Sequence, residues 1–318
     1  MTILINILIL IVGFVFLIKG ADVFVDGASS TARNFKLSKM LIGLTIVAFG
    51  TSAPELAVSI KSMISGSKDM VLGNVIGSNI LNILLILGVS SMIRPLKVKS
   101  NTVKKELPIT LLITVLLAVL FIDSVFEPNM VNQISRGDGI VLLLFFTVFI
   151  YYLFSIIRNK VDEDDDEEPK YSMKKSIIFT VLGIGAVILG SELVVNSAVT
   201  LAKSFGVSER IISLTIIAFG TSLPELVTSV IAAMKGEQDI AVGNIIGSNI
   251  FNIGLVLGIP VTIFGGIVPL EFSYIDIIGL VASALMLFIF AGTEYKVTKK
   301  EGFLLITAFI IYYTTILI

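Results

Sequence analysis

The chain has 318 residues, 55% of them hydrophobic and 15% charged, with a mean hydropathy of +1.00 and a formal net charge of −1. That much apolar surface excludes an ordinary soluble domain, and no basic tract suited to a phosphate backbone is present, so nucleic acid is not expected as a partner. Cysteine and histidine are both absent, which removes disulfides, thiolate and imidazole metal sites and Cys- or His-dependent catalysis, so any bound cation must meet oxygen.

Apolar runs of roughly 20 residues, enough to cross about 30 Å of hydrocarbon, recur along almost the whole length. In chain order they fall near residues 2–19, 40–64, 71–93, 107–126, 138–157, 176–200, 210–234, 240–264, 272–293 and 301–318. The first lacks a basic leader and a small-residue cleavage site, so it reads as a retained helix rather than a signal peptide. Between the fifth and sixth runs lies the one strongly hydrophilic stretch, 158–175, with an unbroken row of acids from Asp162 to Glu168. Like charges in a row repel, and the stretch reads as a solvated linker.

The halves on either side of it repeat each other. Leu44–Leu56 matches Leu214–Leu226 at an offset of 170, and the same offset aligns Gly73–Ile83 with Gly243–Ile253 without a gap. The expected units are 1–157, with its repeated motif at about 40–91, and 176–318, with its motif at about 210–261. Five crossings per unit is an odd number, so equivalent helices must run in opposite directions. Counting the flanks of odd-numbered runs on one side, 18 of the 23 basic residues share that side. The bias puts the linker in the cytoplasm and both termini outside the cell. The expected fold is an all-α integral membrane protein with ten transmembrane helices, arranged as two inverted five-helix repeats in the plasma membrane.

Glu55 and Glu225 lie deep inside the second and seventh runs, where an ionisable group costs roughly 2.5–3.5 kcal/mol and faces a bundle interior or a wet cavity. Before each stands a proline, Pro54 or Pro224, which cannot donate to the carbonyl four residues back, at Gly50 or Gly220. Broken helices are expected there, with backbone oxygens exposed to a cation and the hydroxyls of Thr51, Ser52, Thr221 and Ser222 beside them. Asn74, Ser78 and Asn82 share one helix face in the third run, and Asn244, Ser248 and Asn252 repeat the stripe in the eighth. Hydrogen bonding between helices is the plainer alternative, favoured for Asn74, Asn79, Asn244 and Asn249. Two glutamates with neutral oxygens and no nitrogen or sulfur describe a hard-cation site that suits calcium best. Sodium uses the same oxygens, and one calcium or two sodium ions would balance the two carboxylates.

Gly50–Glu55 and Gly220–Glu225 resemble the paired signature of the sodium/calcium exchanger family, within the cation/calcium antiporter superfamily, and the resemblance extends over essentially the whole chain. It implies a secondary active antiporter that exchanges calcium for sodium by alternating access, not an enzyme. In that family's pattern Glu55, Glu225, Thr51 and Thr221 hold calcium centrally. Ala48 and Ala218 offer carbonyls, and Ser52, Ser78, Ser222 and Ser248 flank sodium sites. The first and sixth helices slide across the other eight. Some relatives carry aspartate at a position matching Asn82 or Asn252, so two asparagines here remove a possible third charge. The resemblance implies no cofactor and no obligatory protein partner, only calcium, sodium and the bilayer. Proton-coupled calcium exchangers usually carry a Gly-Asn-x-x-Glu motif instead; that activity is the alternative, with a calcium-permeable channel behind it. Asp22 and Glu192 also match under the repeat and read as interfacial carboxylates that face water or pair with basic neighbours.

Overall fold

The computed structural model describes residues 2–126, 131–158, 168–207, 216, 218–268 and 274–317. Most of the acidic stretch (159–167) and much of the start of the seventh run (208–215 and 217) lie outside the described residues, as do 269–273. Apolar chain in lipid must satisfy its backbone internally, and helices do so within one segment. The first half holds α1 (Thr2–Asn34), α2 (Lys39–Thr51), α3 (Ala53–Ile64), α4 (Asp69–Ile93), α5 (Leu107–Phe121) and α6 (Arg136–Arg158). The second holds α7 (Met173–Ser204), α8 (Ala218–Thr221), α9 (Leu223–Lys235), α10 (Gln238–Phe264), α11 (Tyr274–Glu294) and α12 (Lys299–Leu317). Six of these (α1, α4, α6, α7, α10 and α11) are each long and apolar enough to cross a membrane, and the bent pair α2–α3 would make a seventh. The molecule is an all-α membrane protein.

Several boundaries differ from the hydropathy reading. α1 runs on to Asn34 instead of ending near 19, and α7 spans Met173–Ser204 instead of 176–200. The extra turns of α1 are rich in Ala, Gly, Ser and Thr, too polar to count as an apolar run but small enough to pack closely. Gly13, Gly20 and Gly27 meet α7 at Leu193 and Val194, then at Ala186 and Val187, then at Phe179 and Thr180. Gly183 and Gly190 of α7 return the contact at Phe24 and Leu17. The numbers fall on one helix as they rise on the other, so the two helices pack antiparallel.

The fourth run also differs, because its helix stops at Phe121, with Ile122 turned out of helical geometry at φ −99° and ψ 45°. Before it, Thr102–Glu106 forms a π-helical turn that carries Glu106 into the interior, where Tyr152 of α6 donates its hydroxyl to the carboxylate. Glu106 is only 4% exposed, and burial was not expected of a carboxylate at the edge of a run.

α4 and α10 form the centre, and α10 is buried along nearly its whole length. Both contain a π-helical segment, Asn82–Leu87 and Asn252–Leu257, at equivalent repeat positions. Short backbone pairings tie the connections. β1 (Leu96–Lys97) pairs antiparallel with β2 (Lys296–Val297), and Ile267 bridges to Ile134. Lys97 and Ile267 are repeat equivalents, so each half makes the same kind of link after its third run.

Candidate ion-binding site

At Ser52 the second run breaks: α2 ends, α3 begins, and the two axes are bent by 41°. Ser52 has φ −82° and ψ 2°, and Ser222, between α8 and α9, has φ −91° and ψ 7°. Both α3 and α9 then start with proline in the first turn, where a missing N–H costs nothing because it would have no intrahelical acceptor. Glu55 and Glu225 sit in those same first turns, at the electropositive ends of their helices. The half-helices before the breaks carry carbonyls that proline cannot serve, at Gly50 and Gly220, so each break brings donors for an anion and acceptors for a cation to one place.

Both glutamates are 0% exposed. Ser52 donates to Glu225 Oε1 at 3.1 Å, and Ser222 donates to Glu55 Oε1 at 3.3 Å, so each half of the chain holds the other half's carboxylate. Thr221 lies against Glu55, and Thr51 and Ser248 against Glu225. The two carboxylates are near enough to repel each other. Glu55 Oε2, Glu225 Oε2 and Ser248 Oγ are buried with no hydrogen-bond partner, as are the side-chain oxygens of Asn82 and Asn252. Oxygens left in this way are what a hard cation collects. Among the described residues no three of His, Cys, Asp and Glu come together, so the fixed charge at the centre is the glutamate pair.

The other residues fall around this pair. The Thr51 hydroxyl has three acceptors in reach, Val47 O at 3.1 Å, Ala48 O at 3.3 Å and Asn244 Oδ1 at 3.0 Å. With its single proton given to one of them, its lone pairs remain for a cation. The Ala48 carbonyl also accepts the Ser52 N–H at 3.0 Å. Ala218 opens α8. Ser78 Oγ lies 3.1 Å from Ser222 Oγ, which places it beside Glu55; with the Ser222 proton on the carboxylate, Ser78 is the donor between the two hydroxyls. Thr221 donates to Asn74 Oδ1 at 3.4 Å.

Asn74 and Asn244 brace the broken helices. Asn74 donates to the Glu55 carbonyl and to Ser59, both at 3.1 Å, and Asn244 donates to Ser229 at 2.9 Å. Asn79, Asn82, Asn249 and Asn252 knit α4 to α10. Asn82 donates to Asn249 Oδ1 at 3.1 Å, Asn252 to Asn79 Oδ1 at 3.2 Å, and Asn79 to the Asn249 carbonyl at 3.3 Å. Replacing Asn249 with alanine is therefore expected to lower stability by about 1–2 kcal/mol, because it strands a buried donor on Asn82. Thermal unfolding of the purified protein checks the loss, and the calcium concentration for half-maximal stabilisation should stay within roughly threefold of the starting protein.

One participant left no mark in the sequence. Ser191 of α7 donates to the Gly220 carbonyl at 2.9 Å, taking the oxygen that Pro224 leaves without its helical partner. Its repeat equivalent is Ala21, so comparing the halves does not point to it.

The profile of the sodium/calcium exchanger protein family matches residues 5–155 and 175–318. The chain is 39% identical over 275 residues to the inner membrane protein YrbG of Escherichia coli, covering 83% of this chain and 82% of that one. It is 34% identical over 345 residues to the sodium/calcium exchanger MaX1 of Methanosarcina acetivorans, covering 96% of this chain and 97% of that one. Among solved structures, the sodium-calcium exchanger NCX_Mj soaked with zero Na+ and Ca2+ superposes with a TM-score of 0.85 at 33% identity, over 99% of both chains. With a profile match across both halves, the chain belongs to the sodium/calcium exchanger family, whose members are membrane transporters and not enzymes.

Proposed function

We propose that this chain is a secondary active antiporter that exchanges calcium for sodium by alternating access. The observation that carries the reading is the pair of fully buried glutamates, one from each half, each held by the other half's serine and each keeping one unpartnered oxygen. Buried like charges without positive partners are costly, so the carrier moves between its two states only when cations neutralise them. That requirement couples the ions: a calcium that leaves must be replaced by sodium before the site can return. Glu55, Glu225, Thr51 and Thr221 form the shared central position. Ser52, Ser78, Ser222 and Ser248, with the Ala48 and Ala218 carbonyls, flank it for sodium. Asn82 and Asn252 support it, and Pro54 and Pro224 keep the breaks.

The architecture that suits this cycle has ten crossings in two inverted repeats, 1–157 and 176–318. The linker 158–175 is cytoplasmic, and both termini lie outside the plasma membrane. Antiparallel packing of the repeat-mates α1 and α7 supports the inversion, and the basic-residue bias supports the orientation.

Purified protein in sodium-loaded liposomes, diluted into sodium-free choline medium, should take up radioactive calcium, and uptake should vanish without internal sodium. Uptake driven by a proton gradient instead would transfer the chain to the proton-coupled exchangers, and uptake with no counter-ion would make it a channel.

A further inference from the structure

Under the repeat, the packing of α1 on α9 has its counterpart in α7 on α3, yet the two contacts are not alike. Leu17 and Ala21 of α1 lie in one apolar cluster with Leu223, Val227 and Ile231 of α9. Where that seam ends, Lys235 reaches back to α1. Its Nζ lies 2.8 Å from Asp22 Oδ1 and 2.6 Å from Asp26 Oδ1, and it donates to the Asp22 carbonyl at 2.8 Å. Lys170 closes on Asp26 at 2.5 Å from the linker. Just beyond, Glu237 accepts from Ser29 of α1 at 2.7 Å and pairs with Lys39 at 3.1 Å. α7 makes no comparable packing on α3 among the described residues.

The sequence carries the same asymmetry. The repeat-mates of Val227 and Ile231 are Ala57 and Lys61, and those of Asp22 and Asp26 are Glu192 and Asn196. All four mates are exposed. Ser65 stands where Lys235 would be repeated. One seam is therefore apolar and ends in ion pairs on the linker side, while its counterpart on the opposite side is more polar and exposed.

We propose that Asp22, Asp26 and Lys235 form a clasp that holds α1 on α9 and shuts the linker-side route to the glutamates, leaving the less tightly packed seam between α7 and α3 as the side that opens. The proposal rests on the alternating-access reading. In the opposite state α1 leaves α9 and α7 closes on α3, where the uncharged Asn196 and Ser65 stand in place of Asp26 and Lys235. The clasp thus biases the resting protein toward opening away from the linker.

The absence of native cysteine makes single thiols clean reporters. Ile231→Cys reports the linker-side route, Ala57→Cys the opposite route, and Ser172→Cys marks the linker face. Each is labelled with a membrane-impermeant maleimide in intact cells and in inverted vesicles. Ile231→Cys should resist labelling from the linker face, and Ala57→Cys should label from the other. Adding Lys235→Met, or Asp22→Asn with Asp26→Asn, should speed Ile231→Cys labelling roughly five- to tenfold, the loss of two partly exposed ion pairs, and slow Ala57→Cys labelling. Lys235→Arg should keep the protection. An Ile231→Cys rate that Lys235→Met leaves unchanged, or that Lys235→Arg raises equally, overturns the clasp. Sodium-driven calcium uptake is measured on the same variants. Labelling that depends on the clasp in a chain without uptake would remove the exchanger reading and keep the clasp, and uptake with clasp-independent labelling would do the reverse.

Discussion

Replacing Glu55 or Glu225 with glutamine is expected to cut sodium-driven calcium uptake by about thirtyfold or more while leaving a folded protein. Removing one partner of a buried, hydrogen-bonded charge contact costs about 2–5 kcal/mol, and here the lost charge is half of what attracts the ion. Folding should survive for the same reason that binding fails. Each carboxylate is wholly buried, repels the other and keeps one oxygen without a partner. A neutral amide of the same shape removes that repulsion and keeps an oxygen for the Ser52 or Ser222 hydroxyl. In calcium- and sodium-free buffer the thermal midpoint of either variant should equal or exceed that of the starting protein. Added calcium should stabilise only the starting protein, because a ligand stabilises the folded state in proportion to its occupancy. Retained uptake in both single variants would sink the central assignment. Ser52→Ala and Ser222→Ala each remove a neutral hydroxyl and no charge, and should act more weakly.

The contrast between these glutamates and Glu106 shows how far the sequence could be read. Glu55 and Glu225 stand out because each is a charge within an apolar run, and because the repeat displays the same charge, proline and hydroxyls twice. Glu106 has an acidic repeat-mate in Asp276, but neither directly follows a proline and neither lies deep within an apolar run. It borders a run, so hydropathy places it in water, while its partner Tyr152 lies 46 residues away and is found only when α6 packs on α5. Helix length failed for a related reason. A hydropathy window ends α1 where Gly, Ser and Thr accumulate, although those residues extend the helix by letting α7 approach. The π-helical segments at Asn82 and Asn252 change no composition and were invisible. Features shared by the halves were the easiest to read. Those that distinguish them, such as Ser191 against Ala21 or Lys235 against Ser65, are what a repeat comparison discards.

The glycine seam between α1 and α7 gives the second large effect, in which the sign of a single methyl depends on its position. Alanine is worth about 1 kcal/mol more than glycine inside a helix, so Gly→Ala should stabilise wherever there is room. Gly185 has room, since nothing stands within 4 Å of a Cβ built there. Two residues earlier on the same helix, a Cβ at Gly183 would stand 2.5 Å from the Phe24 nitrogen and 2.6 Å from its Cα. Gly27 reciprocates, at 2.5 Å from the Thr180 nitrogen. The obstructing atoms are backbone, which no rotamer change can move, so the helices must separate. Overpacking of this kind costs about 1–3 kcal/mol, and in lipid no hydrophobic drive is available to press the two helices back together. Gly185→Ala should therefore leave the thermal midpoint unchanged or raise it, while Gly183→Ala and Gly27→Ala lower it, and Gly183→Leu should fail to yield monodisperse protein. Equal midpoints for Gly183→Ala and Gly185→Ala would mean that α1 and α7 do not pack this closely. Uptake should follow the midpoints, because Asp22, Asp26 and Ser191 reach α9 and the Gly220 carbonyl from these two helices, and a shift of either disturbs contacts around the second break.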